Sequence, residues 1–371
     1  MFYLLPSFDD FKKLKFIYWP LVLMIFLLCS VGIFALFCAS EGSFDPWAFK
    51  QGIKIFIGFI LLCYFAIFPL RELLALSYVA YGISLALLVS AQLFGRIGMG
   101  ARRWVSLGFF ELQPSEVMKI SLILALSTYL HKNPLNMDQN SKKTLTVAFL
   151  MILVPTVLLL KQPDLGTASL LVLSGGIVLF AAGLSRRMMV YMFSFFTLSL
   201  PIFWPFLHDY QRQRILTFLN PEQDPLGAGY HILQSKIAIG SGGLWGKGFL
   251  KGTQVHLDFL PEKHTDFILT ILAEEWGYFG IFTLIILYIL VLLMTLRIAL
   301  DAQHLFGRLL VLGVGAMFFL YCFINIAMVT GLFPVVGVPL PFISYGGASL
   351  VSLFIAFGWV INVDLNKNER L

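Results

Sequence analysis

Ionisable side chains are rare in this chain, and the densest group of them lies at residues 259–275, FLPEKHTDFILTILAEE. Lys263, His264 and Asp266 stand where a long apolar run begins, and Glu274 and Glu275 lie inside that run. A carboxylate at the rim of a bilayer is costly to desolvate, so its position requires a reason. Two are available. Thr265 can cap the following helix, which would put Asp266 in the first turn, where the helix dipole favours a negative charge. Alternatively, Asp266 is a general base at the edge of a water-filled outer cavity, taking a proton from an attacking hydroxyl. His264 competes for that task by its intrinsic pKa, so residue types alone leave both open.

Other costly polar residues lie upstream. GARRW (100–104) sets Arg102 and Arg103, whose forked donors suit phosphate oxygens, beside the interfacial Trp104. In QPSEVMK (113–119), Pro114 suits a first helical turn, and Gln113 or Ser115 could satisfy its free backbone donors. Glu116 and Lys119 are three apart, hence on one helix face and able to pair, either as a structural ion pair or as the lining of a polar cavity. KQPDLGT (161–167) offers Asp164 and Thr167, both natural helix caps. The QSKIAIGSGG stretch (234–243) reads as a short helix lying on the membrane, followed by glycine-rich turns. GSGGLWGKG (240–248) looks superficially like a phosphate loop, but it lacks the GxxxxGK[ST] spacing and a preceding strand, which excludes a nucleotide site of that kind.

The elements that must position these residues follow from composition. Of 371 residues, 59% are hydrophobic and only 12% charged. A water-facing surface needs about 25% charged residues, so this is a polytopic membrane protein. A span needs about 20 mainly apolar residues. Runs of that kind lie near 17–38, 52–69, 73–95, 113–131, 144–161, 167–184, 188–207, 266–297, 308–331 and 345–363. The expected fold is therefore all-α: ten transmembrane helices in one domain, 1–371, with a large extracytoplasmic loop at about 208–265. The Pro/Gly-rich segment GLFPVVGVPLPFISYGG (331–347) is too apolar for a free loop and too proline-rich for a helix. Irregular backbone at membrane depth must be buried in protein or line a cavity, so this segment is expected to re-enter the bundle. With the N-terminus cytoplasmic, 13 basic residues fall on that side and 6 in the opposite short loops, which puts both termini inside. The long outer loop adds six more, an excess that an anionic ligand outside would explain. A net charge of +6 then calls for membrane lipids rather than nucleic acid. Cys29, Cys38, Cys63 and Cys322 all sit in apolar runs without disulfide or zinc spacing.

Taken in order, GARRW, QPSEVMK, KQPDLGT, YQRQRI (210–215), DPLGAGYH (224–231), AIGSGGLWGKG (238–248), LPEKHTDFI (260–268) and PVVGVPLPFISYGG (334–347) span nearly the whole chain. Together they resemble the SEDS family (shape, elongation, division and sporulation) of bacterial cell-wall proteins, and its elongation branch more than its division branch. The resemblance implies a peptidoglycan glycosyltransferase of the bacterial inner membrane, acting on lipid II, a disaccharide-pentapeptide on undecaprenyl diphosphate. It makes Asp266 the residue required for polymerisation and Trp104 functionally important. It also places Glu116 and Lys119 at the family's cavity-lining polar positions and matches Asp164 to the family's QPDLG aspartate. Arg102, Arg103, Lys119 and Arg214 are candidates to stabilise the diphosphate leaving group, with a divalent cation (Mg or Mn) as a further candidate, and His264 is a candidate for substrate binding. The implied partners are a class B penicillin-binding protein transpeptidase and the membrane proteins of the elongation complex. Two other roles compete: a lipid II flippase, and a non-catalytic scaffold that activates a transpeptidase.

Overall fold

The computed structural model describes residues 13–98, 101–106, 111–135, 141–188, 190, 191, 194, 209–224, 227–253 and 263–369. Eleven α-helices are drawn from these: α1 Trp19–Ala39, α2 Ala48–Ile67, α3 Leu70–Phe94, α4 Pro114–Lys132, α5 Ser141–Lys161, α6 Leu165–Ala181, α7 Asp209–Leu219, α8 Ala228–Ser241, α9 Ile268–Asp301, α10 Leu305–Val329 and α11 Ala348–Leu365. Nine of the ten expected spans coincide with a helix, and the run near 188–207 lies almost wholly outside the described residues. Among the described residues, seven helices are long and apolar enough to cross a membrane. The other two differ for separate reasons: α6 is short, and α4 is polar.

The polarity of α4 has a packing explanation. It is surrounded by α3, α5, α6, α10 and α11. Fifteen of its residues are buried, among them Ser115, Glu116, Lys119, Ser121, Ser127 and Thr128. A helix with protein on every side needs no lipid-facing stripe, and its polar groups can find partners, as Ser84 does in bonding Ser121 at 2.8 Å. By contrast, α2 leaves Phe49, Ile53, Phe56, Ile57 and Ile60 exposed, which is a lipid-facing surface. One apolar core joins α1, α2, α9, α10 and α11, and a second joins α3, α4, α5 and α6. α10 touches α4, α6, α9 and α11 and so bridges the two cores.

Two departures from an all-helical bundle shape the site. Before α4 the chain forms a small antiparallel sheet, β1 Arg96–Gly98, β2 Ala101–Ser106 and β3 Glu111–Leu112, in that order. The ARRW residues expected in an open loop therefore lie on a strand, with Trp104 opposite Arg96. The second departure is in α9, which breaks at Gly277 (φ 65°, ψ −161°). A continuous helix would bond Tyr278 N–H to Glu274 C=O and Phe279 N–H to Glu275 C=O. Here the 243–248 turn enters between them. Lys247 and Gly248 N–H donate to the Glu274 and Glu275 carbonyls at 2.9 and 3.1 Å, and Tyr278 and Phe279 N–H donate to Gly243 and Leu244 at 2.9 and 3.2 Å. This gives the GSGGLWGKG motif a purpose other than phosphate binding: it docks backbone against backbone. Beneath the dock, Glu274 is fully buried and accepts bonds from Lys247 Nζ at 2.6 Å and from the Thr253 N–H at 2.8 Å.

The segment 331–347 is irregular, as expected, and its Val338, Leu340, Phe342 and Ile343 are buried in the first core. Gln51 donates to the Ser344 carbonyl at 3.0 Å and Tyr288 Oη donates to that of Pro341 at 2.8 Å, which ties this strap to α2 and α9.

Candidate functional site

A cavity of about 1100 Å³ opens at one end of the bundle. Its lining comes from the N-terminal ends of α4, α6 and α11, the C-terminal part of α10, the sheet, α7, α8, the turn before α9 and the strap. Arg103, Trp104, Glu116, Lys119, Asp164, Arg214, His264 and Asp266, all expected from the sequence to matter, line it. The side chain of Arg102 lies outside the described residues.

Asp266 does not occupy the first turn of its helix. Residues 263–267 form turns, Phe267 is the N-cap, and no side chain caps α9. The expected Thr265 cap is therefore absent, because the strap holds this stretch out of helical geometry. Asp266 is thus carried by a turn in the lining of the cavity. Gly337, at φ 71°, faces it so closely that a Cβ there would lie 3.2 Å from Asp266 Oδ2. Beside it, the His264 ring stacks on Trp47 with centroids 4.4 Å apart and planes within 7°. Tyr345 is 5.9 Å from His264 and carries Lys54 Nζ over its own ring at 3.9 Å.

The opposite wall is built on α4 and α10. Lys119 Nζ donates to Glu116 Oε1 at 2.8 Å, so the predicted i,i+3 pair forms. Tyr321 Oη donates to Glu116 Oε2 at 2.6 Å, and Lys119 also contacts the Tyr321 hydroxyl. All three side chains are almost completely buried, and a charged pair at such depth persists only when its remaining donors and acceptors are met. The caps expected at α4 are not made: Gln113 is the N-cap without a side-chain bond, and Ser115 Oγ has no hydrogen-bond partner among the described residues. Pro114 at the first position removes one donor that would otherwise need a partner.

Asp164 does cap α6, accepting from Thr167 N–H at 3.1 Å and Thr167 Oγ1 at 2.9 Å. Arg103 lies 3.9 Å from Asp164 Oδ2 and donates to the Gln162 carbonyl at 3.2 Å and to that of Pro163. Much of its guanidinium fork is therefore committed to fastening β2 onto the α5–α6 turn. Arg214, on α7, remains exposed at the cavity wall. Arg96 forms an exposed ion pair with Glu111 at 3.1 Å. Among the described residues no three His, Cys, Asp or Glu side chains gather into a set of ligands for a divalent cation.

The sequence reading passed over Tyr321, Asn325 and His231. Tyr321 and Asn325 were signalled by position: polar side chains four apart, hence on one face of an otherwise apolar helix. His231 ends the DPLGAGYH motif, lines the cavity and approaches Phe267 at 6.2 Å between ring centroids.

Apolar helices around a charged cavity at one end of the bundle define a polytopic membrane protein with a polar site. Residues 13–369 match the family model of FtsW, RodA and SpoVE, described as cell cycle protein, and the chain belongs to that family. The peptidoglycan glycosyltransferase MrdB of Escherichia coli is 45% identical over 350 residues, 94% of each chain. The peptidoglycan glycosyltransferase RodA of Treponema pallidum is 32% identical over 94% of this chain and 97% of that one. Among solved structures, one described under the structural coordination of polymerization and crosslinking by a peptidoglycan synthase complex superposes with a TM-score of 0.82 at 31% identity, covering 95% of this chain and 99% of that chain. The rod shape determining protein RodA of Thermus thermophilus superposes at 0.72 with 29% identity, covering 95% and 98%. The protein is accordingly a bacterial membrane protein of this family.

Proposed function

We propose that the chain is a peptidoglycan glycosyltransferase that polymerises lipid II during cell elongation, with Asp266 as general base. The observation that carries this reading is the placement of the Asp266 carboxylate in the lining of one cavity with Arg103, Lys119 and Arg214. The acceptor sugar's 4-hydroxyl attacks C1 of the donor muramyl sugar. Its proton passes to Asp266 as the new C–O bond forms, and the C1–O bond to the lipid diphosphate breaks with the electron pair leaving on the phosphate. Charge developing on that diphosphate needs positioned donors. Arg103, Lys119 and Arg214, which line the cavity, are the candidates for that task, together with Arg102. Glu116, Lys119, Trp104 and His264 then serve to hold the sugars and peptide. In this reading both termini lie in the cytoplasm and the cavity faces outward, while the lipid tail stays in the bilayer. The relative in a peptidoglycan synthase complex supports a class B penicillin-binding protein as partner.

The test is purified protein with labelled lipid II, with and without the transpeptidase. Wild type is expected to make glycan chains and Asp266→Asn none, since the substitution keeps the shape and removes the base. Normal polymerisation by Asp266→Asn would overturn the assignment. Movement of lipid II between leaflets without polymer would favour the flippase. No activity of its own beside a stimulated partner would favour the scaffold.

A further inference from the structure

The turn that carries Asp266 is gripped through its backbone. Three successive carbonyls, those of His264, Thr265 and Asp266, each accept a hydrogen bond from the C-terminal part of the chain. The donors are the Tyr345 N–H at 2.9 Å, Ser344 Oγ at 2.6 Å and Asn325 Nδ2 at 2.9 Å. Asn325 gives a second bond, to the Val338 carbonyl at 2.7 Å. Val338 follows Gly337, the residue that faces Asp266 Oδ2. One amide therefore joins the turn that bears the carboxylate to the strap against which the carboxylate rests. The orientation of the amide is dictated by its neighbours, because its oxygen in that place would face two carbonyl oxygens.

Asn325 is fully buried on α10, the helix that bridges the two cores, so its own position is firmly held. An amide inside a membrane helix carries a desolvation cost that a leucine would not. Its two bonds leave Oδ1 without a partner among the described residues, so the site is not optimised for stability alone. We propose that Asn325 is a positioning residue for glycosyl transfer, fixing the distance and angle at which Asp266 meets the acceptor hydroxyl. The proposal rests on Asp266 being the base.

The chain supplies its own control. Asn362, on α11, is equally buried and also bridges two backbone carbonyls, donating to Phe65 at 2.8 Å and to Phe68. It ties α11 to the end of α2, and its bonds reach neither the turn that bears Asp266 nor the strap. If bridging asparagines serve only to hold helices together, the two should behave alike.

The experiment compares full-length Asn325→Ala, Asn362→Ala and Asp266→Asn, purified in detergent and assayed on labelled lipid II with rates normalised to folded protein. Asn362→Ala is expected to melt at a lower temperature and keep its kcat within about twofold. Asn325→Ala is expected to lose more than about tenfold in kcat, the consequence of misplacing a reacting group, while KM stays within about threefold. Asn325→Leu keeps the volume, removes both donors and repeats the measurement if the alanine variant unfolds. The proposal is overturned if folded Asn325 variants retain kcat, or if the two asparagines lose kcat in step with lost stability. Normal polymerisation by Asp266→Asn would instead bring down the base assignment, so the two failures are distinguishable.

Discussion

Gly277→Ala should be among the most damaging single-methyl changes in the protein. The residue sits at φ 65°, ψ −161°, a region open to glycine alone, and forcing another residue there costs about 1–3 kcal/mol. The new Cβ would also lie 2.3 Å from the Gly246 nitrogen and 2.8 Å from the Leu244 carbonyl, both backbone atoms that cannot rotate away. Relief requires the 243–248 turn to withdraw, with loss of the four backbone bonds it makes to α9. At about 0.5–1.5 kcal/mol net each, less the two helical bonds that could re-form, this costs about 1–3 kcal/mol. Re-forming the helix also relieves the strained dihedrals, so the two costs are alternatives and the expected destabilisation is about 1–3 kcal/mol. Gly82→Ala, in the middle of α3 with nothing within 4 Å, is the matching control. It should be neutral or stabilising by up to about 1 kcal/mol from helix propensity. Thermal unfolding of the purified proteins, followed by tryptophan fluorescence, measures both. A Gly277→Ala protein that melts with the wild type would refute the account of the break as a docked backbone joint.

Three further outcomes are expected. Glu274→Ala should destabilise by about 1.5–3 kcal/mol, because it removes the carboxylate that accepts from Lys247 and from the Thr253 N–H beneath the same joint, and a denaturation series would detect this. Tyr321→Phe removes the hydroxyl bonded to Glu116 and Lys119, and should lower stability by about 1.5–3 kcal/mol and reduce polymerisation, measured on the folded fraction. His304 caps α10 by accepting the Gly307 N–H at 2.8 Å, and burial, with a smaller effect from His131, holds its pKa below the usual 6.5. The unfolded chain then binds more protons in that window, so the stability due to His304 is present above pH 6.5 and is lost as pH falls towards the depressed value. Asn at 304, which can also cap, should flatten that part of a plot of melting temperature against pH.

Much of the architecture was legible in the residues because lipid imposes a simple requirement. A helix facing hydrocarbon must be apolar for its whole length, so α1, α2, α3, α5, α9, α10 and α11 announce themselves by composition. The cost of a charge near the bilayer singled out Glu116, Lys119, Asp164 and Asp266 in the same way, and all four line one cavity. Local spacing was enough for the Glu116–Lys119 pair and the Asp164 cap, whose partners lie three residues away.

The residues did not disclose what depends on partners far along the chain. Tyr321 reaches Glu116 across 205 positions and Asn325 reaches the Asp266 carbonyl across 59. Nothing local to YCFIN says which helix will stand opposite. The same limit misled the local reading of Thr265 as a cap, since the strap takes the carbonyls of His264 and Thr265, and Asn325 of α10 takes that of Asp266, which together hold that turn out of the helix. Likewise, Arg103 reads as a free phosphate ligand until β2 folds onto the α5–α6 turn and occupies its fork. Desolvation cost is a property of each residue and is written in the sequence. Which group relieves that cost is decided only when distant segments meet.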